Sequence, residues 1–115
     1  MHALAAIAIA LTGLHGIVVK GPVAPVCRAG RPCSAPVRVT LVFRRTVVGP
    51  KANRYRFYWI RTSSTGRYRV SLPPGYYTVT AQEHIGIDRT LRPRRVHVRA
   101  GHLDRIDFQI DTGLR

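Results

Sequence analysis

The stretch that decides the fold runs from Thr65 to Val79 and reads TGRYRVSLPPGYYTV. Apolar and polar residues alternate on both sides of its Pro-Pro-Gly sequence, and a period of two is typical of β-strands with one buried face. Proline ends a strand because it has no N–H to donate, and Gly75 permits the backbone geometry of a tight turn. The stretch therefore predicts two consecutive strands. Their predicted inward residues are Tyr68, Val70, Leu72, Tyr77 and Val79, and their predicted outward residues include Arg67, Arg69 and Tyr76.

The rest of the chain repeats this pattern. From His15 onward there is no helical period, and turn signals recur about every ten residues between short alternating runs, a spacing typical of a sandwich or a barrel. The chain has 115 residues, enough for one domain built from two sheets. The predicted strands are Gly16–Lys20, Val37–Phe43, Tyr55–Arg61, Arg67–Leu72, Tyr76–Ala81, Val96–Val98 and Ile106–Ile110. We therefore predict an all-β, seven-stranded antiparallel β-sandwich in residues 15–115.

Residues 65–79 resemble the carboxypeptidase regulatory-like domain family, a group of transthyretin-like (prealbumin-like) sandwiches, and also the related collagen-adhesin B-type repeats. In these families a glycine turn opens a strand, Leu-Pro-Pro-Gly follows, and Tyr-Thr-Val opens the next strand, as it does here. The resemblance covers residues 16–115 and implies a small exported bacterial protein with a carbohydrate-binding-like fold. One departure is the Ser63-Ser64-Thr65 sequence, where many relatives carry an acidic residue before the turn glycine.

An apolar run at residues 3–14 has the length of a signal-peptide core and is short for a membrane span. Met1-His2 lacks the usual basic residues, and no Ala-x-Ala cleavage site follows the run. We expect residues 1–14 to be a signal-peptide-like or anchor segment, with a soluble cytoplasmic helix as the alternative. A secreted or cell-envelope location follows, and the segment could also anchor the protein to a membrane.

The two cysteines, Cys27 and Cys33, bracket a short Gly/Pro-containing turn. Their spacing is not that of a Cys-x-x-Cys redox pair, and no second ligand pair accompanies them to complete a metal site. We expect them to form a local disulfide, which is typical of an oxidising compartment.

The formal net charge is +14, from 19 basic and 5 acidic residues. Such a field attracts nucleic acid, acidic lipid headgroups or anionic wall polymers. The alternative interpretation is that base composition enriches arginine on solvated strand faces. Nucleic acid is not the expected partner, because export is predicted and no recognised motif is present. The candidate contacts to an anionic surface are Arg38, Arg56, Arg67, Arg69 and Arg99.

The predicted strand Tyr55–Arg61 carries bulky side chains on both faces. We expect Tyr55 and Trp59 to lie in the core. The alternative is an exposed aromatic stripe, on which sugars could stack, since aromatic rings offer large rigid apolar surfaces. The candidate carbohydrate contacts are Tyr58, Trp59 and Tyr76.

Catalytic signatures are missing from the sequence. It contains no His-Glu-x-x-His, no Gly-x-Ser-x-Gly and no phosphate-binding glycine loop, and its acidic residues form no recognisable acid/base pair. We therefore expect no catalytic residue, metal or cofactor. The expected function is a non-enzymatic exported module that contacts anionic envelope polymers through a basic surface, with carbohydrate binding through exposed tyrosine and tryptophan as the alternative.

Overall fold

The structure is a computed structural model that describes residues 12–22, 29–30, 33–47, 49–51, 54–83, 86–88 and 90–111. Over these ranges the chain forms ten β-strands and no helix, hence none that is long and apolar enough to cross a membrane. The strands are β1 (Gly13–Gly21), β2 (Ala35–Pro36), β3 (Thr40–Val47), β4 (Arg54–Arg61), β5 (Arg67–Ser71), β6 (Gly75–Glu83), β7 (Gly86–Asp88), β8 (Arg95–Val98), β9 (Leu103–Arg105) and β10 (Phe108–Asp111).

Two five-stranded sheets organise these strands. In the first sheet, the long strand β1 pairs antiparallel with β5 and β2 and parallel with β9 and β10. In the second sheet, β3 lies between β4 and β6, and β7 and β8 both pair with β6, all antiparallel. The prediction of seven antiparallel strands is therefore corrected in two respects: the described residues form ten strands, and β1 makes parallel pairs.

The core lies between the two sheets, and Phe43 of β3 is at its centre. The Phe43 ring lies 6.5 Å from the ring of Tyr68 and 6.3 Å from that of Phe108, both in the first sheet. It also meets the ring of Tyr77, in its own sheet, nearly edge-on at 6.4 Å. Such tilted and edge-on contacts stabilise aromatic clusters. The buried aliphatic residues around this cluster include Leu14, Val18, Leu41, Val79, Ala81, Leu91, Val96, Val98 and Ile110.

The 65–79 stretch folds as its alternation predicts. Tyr68, Leu72, Tyr77 and Val79 are buried, and Val70 is half-buried against the core. The Tyr77 hydroxyl donates to the carbonyl of Pro73, which closes the Pro-Pro-Gly turn.

The turn before β5 depends on a glycine. Gly66 has φ of +75°, in the left-handed region, and its N–H donates to the Ser63 carbonyl. A Cβ atom at Gly66 would lie 2.4 Å from the Val18 carbonyl oxygen, so only glycine lets the turn pack this closely against β1.

The first strand begins before the predicted domain boundary. Gly13 pairs with Ser71 and Leu103, and Leu14 is completely buried, so the boundary between residues 14 and 15 falls inside β1. Residues 1–11 lie outside the described residues, and so does Cys27. The leader segment and the Cys27–Cys33 disulfide therefore stay predictions.

Candidate functional site

Strand β4 turns its aromatic stripe outward. Its register with β3 places Tyr58 opposite Phe43 and therefore on the core side. Because side chains alternate along a strand, the neighbouring aromatic residues point away from the core. Tyr55 is 55%, Phe57 47% and Trp59 60% exposed. The expectation that Tyr55 and Trp59 lie in the core is wrong, because the core side of β4 is occupied by the alternate residues.

We define the aromatic face as the outer surface of β3, β4, β6 and β8. Its aromatic members are Tyr55, Phe57 and Trp59 on β4, Tyr76 on β6 and His97 on β8. The Phe57 and Trp59 rings stack at 5.9 Å with 22° between their planes. Tyr76, which is 75% exposed, stacks on the His97 ring at 4.2 Å with 8° between the planes. Two pairs of stacked rings therefore stand on one sheet surface.

Arginines lie between the aromatic side chains on this face. Arg44 of β3 is paired with Phe57 on one side and Thr78 on the other, and its guanidinium carbon lies 5.0 Å from the centre of the Tyr55 ring. Such a cation–π contact holds the guanidinium over the ring. Arg95 follows on β8, opposite Thr78. A cleft of about 570 Å³ opens here, and Arg44, Tyr76 and Arg95 contribute to its walls.

Tyr58 does not belong to this surface. It is half-buried, and its ring meets that of Tyr77 nearly edge-on at 6.0 Å. Of the three predicted carbohydrate contacts, Trp59 and Tyr76 lie on the aromatic face, whereas Tyr58 packs against the core. Phe57, Arg44 and Arg95 are not among the predicted contacts, although alternation along β4 places Phe57 on the same face as Tyr55 and Trp59.

The five candidate arginines do not form one basic surface. Arg67 and Arg69 lie on β5, in the first sheet, and face away from the aromatic face. Arg38 is exposed between β2 and β3, and Arg56 is exposed on the opposite side of β4 from Phe57. These positions separate them into at least two surfaces.

Among these five arginines, Arg99 forms an ion pair with an acidic residue in the described part of the chain. It donates to both carboxylate oxygens of Asp104, at 3.1 Å and 2.8 Å. This hydrogen bonding holds the pKa of the Asp104 carboxyl below its ordinary value. Two nitrogens of the Arg99 guanidinium are therefore already engaged by Asp104, which makes Arg99 a weaker candidate for an external anion than Arg67 or Arg69.

The described part of the chain contains no group of three or more histidine, cysteine, aspartate or glutamate side chains that could hold a metal ion. Comparison with known proteins found no matching family model, no matching curated protein and no matching solved structure. The resemblance of residues 65–79 to the carboxypeptidase regulatory-like family therefore stays a prediction from those residues.

Proposed function

We propose that the protein is a non-enzymatic binding module that holds an acidic polysaccharide on its aromatic face, in the cell envelope or outside the cell. One observation carries the proposal: four large aromatic side chains, each about half exposed or more, stand on one sheet surface with arginines between them. The exposed residues are Tyr55, Phe57, Trp59 and Tyr76.

The exposed rings of the aromatic face form an apolar surface that a ligand could cover. The solvent side of an antiparallel sheet is ordinarily polar, and a contiguous apolar patch on a soluble protein marks an interaction site. Pyranose rings present flat C–H surfaces that pack on aromatic rings, and guanidinium groups bind carboxylates through paired hydrogen bonds. Phe57 and Trp59 provide ring surfaces for the pyranoses, and Arg44 and Arg95 are placed to bind the carboxylates.

A polysaccharide suits the aromatic face better than single-stranded nucleic acid. Nucleic-acid platforms stack bases on free aromatic faces. Here the rings of Phe57 and Trp59 already cover one another, and so do those of Tyr76 and His97. Each pair leaves only its outer ring faces open, so bases cannot insert between the rings, whereas a sugar chain can lie along the outer faces and reach the arginines beside them.

The fold supports a module of this kind. Two sheets packed around one core make a β-sandwich, which we propose to be transthyretin-like on the strength of the Leu-Pro-Pro-Gly stretch. In some members of that family the domain is an accessory to a peptidase domain. The apolar residues before β1, which we predict to belong to a leader segment, are consistent with export to a compartment where polysaccharides are found.

The test measures calorimetric binding of the full chain to polygalacturonate, a neutral glucan and oligo-dT. We expect polygalacturonate to bind most tightly and Trp59→Ala to weaken that binding about tenfold, a loss typical of an aromatic anchor. Urea denaturation of Trp59→Ala verifies that the variant is folded.

Two arginine variants form a matched pair, because each removes one exposed strand charge. Arg44→Gln on the aromatic face should weaken polygalacturonate binding, and Arg69→Gln on the opposite sheet should leave it nearly unchanged. Equal losses would show that net charge alone attracts the polymer. Tighter binding of oligo-dT than of polygalacturonate would contradict the proposed ligand.

A further inference from the structure

A second concave surface lies on the opposite side of the molecule from the aromatic face. It is a cleft of about 730 Å³ on the outer face of β1, β5 and β9. We call it the cationic cleft, and its lining side chains include His15, Ile17, Arg67, Arg69, Leu103 and Arg105. Nothing in its lining is shared with the aromatic face.

Strand register brings the charged side chains of the cationic cleft together. His15 of β1 is directly paired with Arg69 on one side and with Arg105 on the other. Arg67 lies two residues from Arg69 on the same face, opposite Ile17. Neighbouring strands are about 5 Å apart, so three guanidinium groups and an imidazole share a small area.

Arg69 on β5 and Arg105 on β9 flank His15 on the strand between them, about 10 Å apart, so their like charges repel and a bound anion would offset that repulsion. The acidic group found beside the cleft is Asp107, whose carboxylate oxygen is 3.2 Å from Nε of Arg105. Three arginines therefore stand against one aspartate. The positive charge that Asp107 does not balance lies along a concave surface, where arginines on more than one side could contact an oxyanion.

Asp107 is held so that it orients Arg105. Its Oδ1 accepts the N–H of Ile17 at 3.0 Å, and this hydrogen bond is the main reason that the pKa of the Asp107 carboxyl lies below its ordinary value. A Cβ atom at Gly16 would lie 2.7 Å from the same oxygen, so glycine at this position permits the close approach. The ion pair with Asp107 thus favours a position of Arg105 at one wall of the cleft before any ligand binds, which reduces the entropy lost on binding.

From this geometry we propose that the cationic cleft binds a tetrahedral oxyanion that can carry two negative charges: free phosphate, free sulfate or a terminal phosphate monoester. Arg69 and Arg105 contact it from opposite sides of His15, and Arg67 adds a third cationic side chain. Guanidinium groups match oxyanions with paired N–H donors, and a dianion with several oxygens can accept from more than one of them at once. A monovalent carboxylate offers fewer acceptors and less charge.

The experiment is an NMR titration of the ¹⁵N-labelled full chain at constant ionic strength. The probes are inorganic phosphate, sulfate, methyl phosphate, dimethyl phosphate and acetate. We expect saturable amide shifts at His15, Arg69 and Leu103 with phosphate, sulfate and methyl phosphate. Dimethyl phosphate and acetate, which carry one charge, should bind several-fold more weakly. If methyl phosphate binds as tightly as phosphate, the cleft accepts a phosphate group on a larger molecule. If only phosphate and sulfate bind, the cleft accepts free ions alone.

Matched variants separate this site from general charge attraction. Arg69→Gln should weaken phosphate binding about tenfold, the loss expected for one or two charge-assisted hydrogen bonds. Arg44→Gln removes the same charge from the other sheet and should leave phosphate binding unchanged, as should Trp59→Ala. Equal weakening in both arginine variants, or shifts that grow linearly and spread over the whole surface, would overturn the proposal. Because the cationic cleft and the aromatic face lie on different sheets, an absence of phosphate binding would not bear on whether the aromatic face binds polysaccharide.

Discussion

Replacing Phe43 with leucine is expected to destabilise the protein by about 2–3 kcal/mol, whereas the same substitution at Phe57 should cost less than about 1 kcal/mol. Phe43 is paired with Tyr58 across β3 and β4, and Phe57 is paired with Arg44, the residue after Phe43. Because side chains alternate along a strand, Phe43 and Phe57 face opposite sides of the sheet. The difference between the variants therefore measures which face of the second sheet is the core.

The magnitude follows from the contacts of each ring. Phe43 is completely buried and touches three other aromatic rings, at Tyr68, Tyr77 and Phe108. Leucine in its place loses the ring–ring contacts, each worth about 0.5–1.5 kcal/mol and not fully additive, and leaves unfilled volume. Phe57 is 47% exposed and its stacking partner is itself exposed, so leucine removes little buried area there.

Urea denaturation followed by circular dichroism measures both changes. With an m-value of about 1–3 kcal/mol/M, Phe43→Leu should lower the midpoint by about 1–2 M and Phe57→Leu by a few tenths. Polygalacturonate binding should show the reverse order, with Phe57→Leu weakened and Phe43→Leu retained below its unfolding transition. Equal midpoint shifts, or a larger shift for Phe57→Leu, would refute the assignment of the two faces.

Two further stability predictions concern buried polar groups. Thr62 is buried and its hydroxyl accepts the N–H of Val39 and donates to the carbonyl of Val37, both at 2.8 Å. Thr62→Val should therefore cost about 2–4 kcal/mol in urea denaturation, while Thr62→Ser keeps both bonds and costs less than half as much. Burial, and then the Asp107 charge, hold the pKa of the Tyr68 phenol above its ordinary value, so the unfolded chain loses this proton first. The protonated phenol therefore stabilises the folded protein below about pH 10, and this stabilisation is lost as the pH rises further. Tyr68→Phe should make the thermal unfolding midpoint fall less steeply above about pH 10. The same dependence of the midpoint on pH in Tyr68→Phe and the parent protein would contradict this prediction.

The 65–79 stretch could be predicted from the sequence because its two faces differ in chemistry. Tyr68 and Tyr77 alternate with arginine, serine or threonine, so period-two alternation alone assigns the inward side. Pro73 and Gly66 mark the turns at the two ends of β5, because the preferences of proline and glycine for turns depend only on the local backbone. Where one face is apolar and the other polar, neighbouring residues carry enough information to orient a strand.

Strand β4 shows where this reasoning stops. Both of its faces carry large side chains, and the side that turns inward is decided by its register with β3, which pairs Tyr58 with Phe43. Register is a property of two strands, and the local pattern of one strand does not contain it. The sequence of β4 alone therefore leaves open whether Trp59 lies in the core or on an exposed aromatic stripe.

The cationic cleft could not be predicted for a related reason. His15, Arg69 and Arg105 come from strands far apart in the sequence and meet because β1 pairs antiparallel with β5 and parallel with β9. Arg105 is the parallel-strand partner of His15 although the two residues are far apart in the chain, and such a pair leaves no local signal in the sequence. The excess of arginine indicated an anion-binding protein, and the topology determines which arginines share a surface.

Trp59 is the one tryptophan in the chain, so its fluorescence reports directly on the aromatic face. The most direct measurement is a titration of the full protein with polygalacturonate that follows tryptophan emission and its quenching by acrylamide. We predict a shift of the emission to shorter wavelength and reduced quenching, both saturating at the ratio at which calorimetry shows binding. Calorimetric binding of polygalacturonate with the emission and quenching of Trp59 unchanged would contradict the proposal that the aromatic face holds the polysaccharide.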